Sequence, residues 1–306
     1  MAIPLFILAG NLLNASGLTP KLMMFSRSLV GHFRGGIGYV NVVSSVFFSG
    51  VNGSAVADTS ALGTLLVPAM RKEGYSSEFA ACLTAGSSLI GPLVPPSIFM
   101  IIYASMTNTA VGDLFLAGIV PGIVLGSVFL IVNWRYAREN NIRSHDKKPA
   151  LRVIVKTGFQ ALPAIFAPIL IVSSIVFGVV TPTESGVLIV FYAIVVGFVL
   201  KTLKLRCIYV AVVDAAKLSA AIFAIIASSS VLTWLLAYAE VPATFAKLLF
   251  PFAEDPILIL FVLSAIAFFA GMFMEEVSAL MLLTPIFVPV ASLAGVDQFT
   301  WGWWLQ

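Results

Sequence analysis

The chain has 306 residues, of which 60% are hydrophobic and 10% charged, and a net charge of +3. A soluble domain carries about 25% charged residues to solvate its surface, so a water-soluble globule is excluded and an all-α polytopic membrane protein is indicated. The alternating apolar and polar strands of an outer-membrane barrel are absent, and the clustered basic residues concern membrane orientation rather than nucleic acid.

The first residues, MAIPLFILAG, are apolar with no basic stretch ahead of them, so no cleavable signal peptide is expected. Residues 1–25 and 36–50 are apolar but interrupted by Gly, Pro or polar groups. Residues 47–68, FFSGVNGSAVADTSALGTLLVP, then place Asn52, Gly53, Ser54 and Asp58 inside apolar sequence. Glycines there permit a non-helical turn, and every backbone carbonyl freed in hydrocarbon must find a partner. Such a tip directs hard oxygen ligands at a point, although its small residues would equally suit tight helix packing. An intramembrane carboxylate such as Asp58 is costly and defaults to a functional site.

Residues 79–107 contain Ser88, Gly91, Pro92, Pro95, Pro96 and Ser97 in GSSLIGPLVPPS. Three prolines in five positions forbid a continuous helix, so a broken helix is expected. Broken ends offer carbonyls to a cation and amides to an anion. Uninterrupted spans follow at 114–134, 161–180, 184–200 and 218–237. Between the first two lies a basic loop with Arg135, Arg138, Arg143, Lys147, Lys148, Arg152 and Lys156, which should be cytoplasmic. Thr181 to Glu184 read as a helix cap on an outer turn. Residues 202–217 read as an amphipathic helix lying along the cytoplasmic interface.

Residues 268–289, FFAGMFMEEVSALMLLTPIFVP, repeat 47–68 without a gap: Phe47, Phe48, Gly50, Leu62, Val67 and Pro68 recur as Phe268, Phe269, Gly271, Leu283, Val288 and Pro289. Counting crossings from the basic loop, the first copy is approached from inside and the second from outside. This is an inverted-topology repeat, with an inner hairpin at about 45–70 and an outer hairpin at about 257–290. Glu275, Glu276, Ser278, Thr284 and Pro285 mark the second copy, where the glutamates could bind cations, relay protons or reach an aqueous vestibule. The first repeat is assigned to 1–134, the basic loop to 135–160 and the second repeat to 161–306. The chain stops just after WGWW, and both ends read as cuts through a longer protein.

An intramembrane hydrolase is a lesser alternative, in which Asp58 and Asp113 would have to meet at membrane depth as an aspartyl-protease-like pair. Gly112 and Asp113 lie at an outer loop, His32 and His145 flank basic loops, and no HExxH is present. Cys82 and Cys207 lie far apart and read as buried small apolar groups, without metal spacing. A passive channel would need a continuous polar stripe, which is not evident.

The stretches IPLFILAGNLL, LVGHFRGGIGYVNVV, FFSGVNGSAVADTSALGTLLVPAM, GPLVPPSI, GDLFLAGIVPG, GVVTPTES and LLTPIFVPV span nearly the whole chain. In content and order they resemble the large membrane (DctM-like) subunit of tripartite ATP-independent periplasmic transporters. The resemblance implies an elevator carrier of the ion-transporter fold in the bacterial inner membrane, with no cofactor beyond coupling sodium ions. It also implies a small four-helix membrane subunit and a periplasmic binding protein that delivers an organic anion such as a C4-dicarboxylate or sialic acid.

Carried onto this sequence, it places a first sodium site at Asn52, Gly53, Ser54, Asp58, Ser88, Gly91 and Pro95, and a second at Glu275, Glu276, Ser278 and Thr284. Substrate contacts would fall on Asn52, Pro96, Ser97 and Thr284. The family's second Pro-Pro broken helix has no counterpart here, so the second repeat and its site are expected to be incomplete. A proton-coupled carrier or exchanger using Asp58, Glu275 and Glu276 is the alternative.

Overall fold

A computed structural model describes residues 2–144, 146, 148–240, 244 and 256–293, without the side chains of residues 51, 52, 237 and 293. Lys147 and His145 of the basic loop, Lys247, Glu254 and Asp255 of the outer loop, and the closing WGWW segment lie outside the described residues. All regular structure among the described residues is helical. Among the described residues four helices, Val111–Glu139, Leu151–Val176, Pro182–Val199 and Leu205–Leu236, are long and apolar enough to cross a membrane, and up to six spans result if two bent pairs each count as one. Large apolar side chains stand in the open on them, including Ile123 (64%), Phe159 (70%) and Phe191 (66%). That exposure would be costly in water but is neutral against lipid tails.

The chain divides into two compact units. The first comprises Met1–Ile98 with Phe115–Ala215. Its helices are α1 (Ala2–Ala15), α2 (Leu18–Val30), α3 (Gly36–Asn52), α4 (Ala55–Lys72), α5 (Ser77–Ser88) and α6 (Ile90–Leu93). After α7 (Ile98–Thr107), it continues through α8 (Val111–Glu139), α9 (Leu151–Val176), α10 (Pro182–Val199) and the start of α11 (Leu205–Tyr238). α3 lies at its centre, packed by α1, α2, α4, α5, α6 and α9, while α1 lies along α10. The second unit comprises Phe99–Leu114 and Ala216–Gln306. It holds most of α7, the remainder of α11, and the packed pair α12 (Pro256–Gly271) and α13 (Glu276–Leu293).

The basic residues gather at one end of the first unit. Arg27 makes a two-pronged ion pair with Asp146 (2.7 and 2.9 Å), and Ser144 Oγ donates to the Gly31 carbonyl at 2.6 Å. Tyr75, in the turn after Arg71 and Lys72, donates from Oη to the Gly35 carbonyl or to Asn133 Oδ1, each at 2.9 Å. Burial pushes its hydroxyl well above the ordinary tyrosine range. At the other side, Thr202 Oγ1, beside Lys201 and Lys204, donates to the Ser16 carbonyl at 2.8 Å.

These contacts hold both ends of α2 at the basic end, so α2 runs across it. The chain turns there by 70° at Gly17, whose φ of 68° suits a residue without Cβ. The apolar stretch 1–25 is therefore an upright α1 followed by a lateral α2.

Two other elements differ from the sequence reading. The helix expected at 202–217 and the span expected at 218–237 form one unbroken α11, because no Gly or Pro interrupts 205–238. Cys82 is exposed on α5 rather than buried, and Cys207 is half-buried. α5 turns Ala80, Leu83, Thr84 and Ser87 inward, which leaves position 82 on the outer face. The cap at 181–184 forms as read. Glu184 N donates to Thr181 Oγ1 at 3.3 Å, Thr181 N donates to Glu184 Oε2 at 2.7 Å, and Pro182 occupies the first turn.

Candidate functional site

In the first unit two chain breaks meet. α3 ends at Asn52 because Gly53 takes φ 56°, a left-handed conformation that glycine adopts without strain. Ser54 is extended, and its Oγ accepts the Ala57 amide at 3.5 Å to cap α4. The cap sets Asp58 in the first turn of α4, 0% exposed, where the helix dipole favours a carboxylate.

The second break follows α6. Val94 is extended, the Pro95–Pro96 bond is cis, and the helix resumes at Ile98. A β-carbon on Gly53 would lie 2.8 Å from the Pro96 carbonyl oxygen and 3.3 Å from Ser97 Cα. One on Gly91 would lie 3.3 Å from Asp58 Oδ2. Backbone thus meets backbone, and the carboxylate rests on a glycine.

The structure therefore brings Gly53, Ser54, Asp58, Gly91, Pro96 and Ser97 together, with Pro95 buried in the same break. Ser97 is 0% exposed. Ser88, one turn before the break, is buried too, but its hydroxyl donates to the Thr84 carbonyl at 2.8 Å. The side chain of Asn52, a candidate for both sodium and substrate, lies outside the described residues.

The sequence reading missed a polar column leading away from this site. Asn41, Ser44, Ser45, Thr84 and Ser87 are all buried. Asn41 Nδ2 donates to Thr84 Oγ1 at 2.6 Å, and the Ser45 and Ser87 hydroxyls are 3.0 Å apart. The spacing of three and four residues in NVVSS and TAGSS carries that signal.

In the second unit α12 and α13 are joined across Met272, Phe273, Met274 and Glu275. Glu275 occupies the position that Ser54 holds in the first copy, and it does the same work. Its Oε2 accepts the amides of Val277 (3.0 Å) and Ser278 (3.2 Å) and the Ser278 hydroxyl (3.4 Å). The carboxylate is turned back onto its own helix N-terminus. Glu276 is half-buried behind it.

Thr284 sits two turns further along, 3% exposed, and faces a cavity of about 550 Å³. Ser105, Thr107, Ser229, Ser230 and Thr233 also line this cavity, which lies wholly within the second unit. Glu275 and Ser278 are thus together, whereas Thr284 belongs to a separate surface. Among the described residues no three His, Cys, Asp or Glu side chains cluster to hold a metal ion. The oxygens at the inner tip are carboxylate, hydroxyl and carbonyl, the hard donors an alkali cation prefers.

A family model described as the DctM component of tripartite ATP-independent periplasmic transporters matches residues 1–305. Individual relatives agree. A sialic acid TRAP transporter large permease protein of Vibrio cholerae is 34% identical over 99% of this chain and 71% of its own length. A 2,3-diketo-L-gulonate TRAP transporter large permease protein of Escherichia coli gives the same identity and the same coverage of both chains. A C4-dicarboxylate TRAP transporter large permease protein of Pseudomonas aeruginosa is 31% identical, again over 99% of this chain and 71% of its own.

Proposed function

The chain belongs to the DctM family of tripartite ATP-independent periplasmic transporters, and we propose that it acts in sodium-coupled uptake of an organic anion across the bacterial inner membrane. The family's members are transporters rather than enzymes. The observation that carries the proposal is the meeting of the two chain breaks, Gly53 against Pro96 and Ser97, and Asp58 against Gly91.

A buried carboxylate at a helix N-terminus beside an unwound proline segment is a fitting alkali-cation site. The helix dipole offsets part of the charge of Asp58, and a sodium ion would offset more. The ion would also bridge hairpin tip and broken helix, so its binding would fix the geometry that the anion meets. Backbone amides at the broken helix ends would then face the anion. The hairpins at 36–72 and 256–293 are inverted repeats in this reading, with re-entrant tips opening to opposite faces. Elevator movement of the hairpin-bearing part against α1, α9 and α10 would alternate access.

The anion is delivered by a periplasmic binding protein, and a small membrane subunit completes the complex. Relatives named for sialic acid, diketogulonate and C4-dicarboxylates make a carboxylate the expected substrate class. Thermal unfolding of the purified full-length membrane protein tests the cation site. Sodium chloride should raise the midpoint saturably, and potassium or choline chloride should not. An equal rise with all three salts would overturn the proposal.

A further inference from the structure

A second cavity, of about 430 Å³, lies wholly within the first unit, between the end of α1 and the start of α11. The Thr202–Ser16 hydrogen bond, beside Lys201 and Lys204, puts it at the basic end, where such residues mark the membrane surface. Four polar side chains line it, and they divide into donors and acceptors. Thr19 Oγ1 donates to Asn14 Oδ1 at 2.6 Å, which leaves the Asn14 amide to donate. Asn11 Nδ2 donates to the Ala211 carbonyl at 3.3 Å, which leaves Asn11 Oδ1 to accept. The Arg206 guanidinium is donor-only and the Asp214 carboxylate acceptor-only.

Neither Arg206 nor Asp214 forms a salt bridge or side-chain hydrogen bond with a described residue. They lie about 12 Å apart along the axis of α11, a gap that the long arginine stem narrows. A lone anion would be repelled by Asp214 and a lone cation by Arg206, so the lining matches a ligand that carries both charges. The surroundings say where that ligand comes from. Leu205 (78%), Tyr209 (70%), Val210 and Val212 stand exposed on the same stretch of α11, and Val210 and Ala211 also line the cavity. Such a face suits acyl chains and not water. A choline headgroup fits poorly, because its quaternary ammonium has no N–H for Asp214 and no aromatic ring stands among the described lining residues to hold it. A primary ammonium has three N–H donors.

We infer that this cavity binds the headgroup of phosphatidylethanolamine in the leaflet at the basic end, with Arg206 and Asn14 on the phosphate and Asp214 and Asn11 on the ammonium. The bound lipid adds to the Asn11–Ala211 hydrogen bond in joining α1 to α11. It is separate from the cation site and from the transported anion.

The test is thermal unfolding of the purified, delipidated full-length membrane complex. It is titrated with dioleoyl phosphatidylethanolamine, phosphatidylcholine or phosphatidylglycerol in mixed micelles, and with water-soluble glycerophosphoethanolamine. Phosphatidylethanolamine should raise the midpoint saturably, with half-saturation about tenfold below that of the other two lipids, the worth of one charged hydrogen bond. Asp214→Asn should remove that preference. Arg206→Gln should weaken phosphatidylethanolamine and phosphatidylcholine alike, since both carry the phosphate. Both side chains are exposed, so neither change should move the midpoint in detergent alone. Equal half-saturation by phosphatidylethanolamine and phosphatidylcholine, tighter binding of phosphatidylglycerol, or an undiminished preference in Asp214→Asn would overturn the inference. Equal stabilisation by glycerophosphoethanolamine would make the ligand a soluble zwitterion and overturn the lipid assignment.

Discussion

Asp58 is the residue on which the proposed cation site depends. Its carboxylate is buried in the first turn of α4 and touches Gly91. Asp58→Asn keeps the shape and removes the charge. It should raise the sodium concentration needed for half-maximal uptake by about tenfold or more, since a charged contact is worth more than a neutral one. Unchanged sodium dependence would take Asp58 out of the site. Gly53→Ala probes the same place through the backbone. It forces a Cβ into the left-handed region at a cost of roughly 1–2 kcal/mol and pushes that Cβ toward the Pro96 carbonyl, 2.8 Å away. The variant should unfold at lower temperature and lose sodium stabilisation, whereas a Gly91→Ala variant should mainly shift sodium affinity. Glu275 behaves differently. As a cap it should cost stability when replaced by alanine, about 1 kcal/mol, with little change in sodium dependence. A strong sodium effect in Glu275→Gln, which keeps an accepting oxygen, would instead return Glu275 to the ion-binding groups.

At the scale of elements, the sequence was most legible where one residue type forces the backbone. Gly53 and the prolines at 95 and 96 announced both breaks, and the structure turns the chain at those points, whereas Pro92 is held inside α6. The cap at Thr181 was legible for the same reason, because its spacing leaves Glu184 one geometry. What required three dimensions was contact. No spacing rule says that Gly91 lies against Asp58, or that Glu275 folds back on Val277 and Ser278. The lateral course of α2 was likewise hidden, since it depends on Arg27 reaching Asp146 far along the chain. The joining of 202–217 to 218–237 was missed because basic residues near Lys204 and Arg206 mark an interface without marking a helix end. The proline break makes its own prediction. Pro95→Ala with Pro96→Ala restores two amide donors and lets the helix continue. Uptake should fall below detection while the protein still inserts and folds. Retained uptake would mean that the break is dispensable.

At the scale of the whole molecule, the basic end of the first unit should face the cytoplasm. Lys148 lies in the basic loop and Val179, 75% exposed, lies in the basic-free turn before α10. With Cys82 and Cys207 replaced, Lys148→Cys should react with an impermeant thiol reagent only from the cytoplasmic side, and Val179→Cys only from the periplasmic side. Labelling of both from one side would invalidate the crossing count on which the opposed hairpins rest. The central claim is coupling. Its most direct test is substrate uptake into proteoliposomes holding the complete transporter, under an imposed sodium gradient or an imposed proton gradient, with and without the binding protein. The account predicts uptake that requires both the inward sodium gradient and the binding protein and ignores the proton gradient. Uptake that follows the proton gradient and is indifferent to sodium would contradict it.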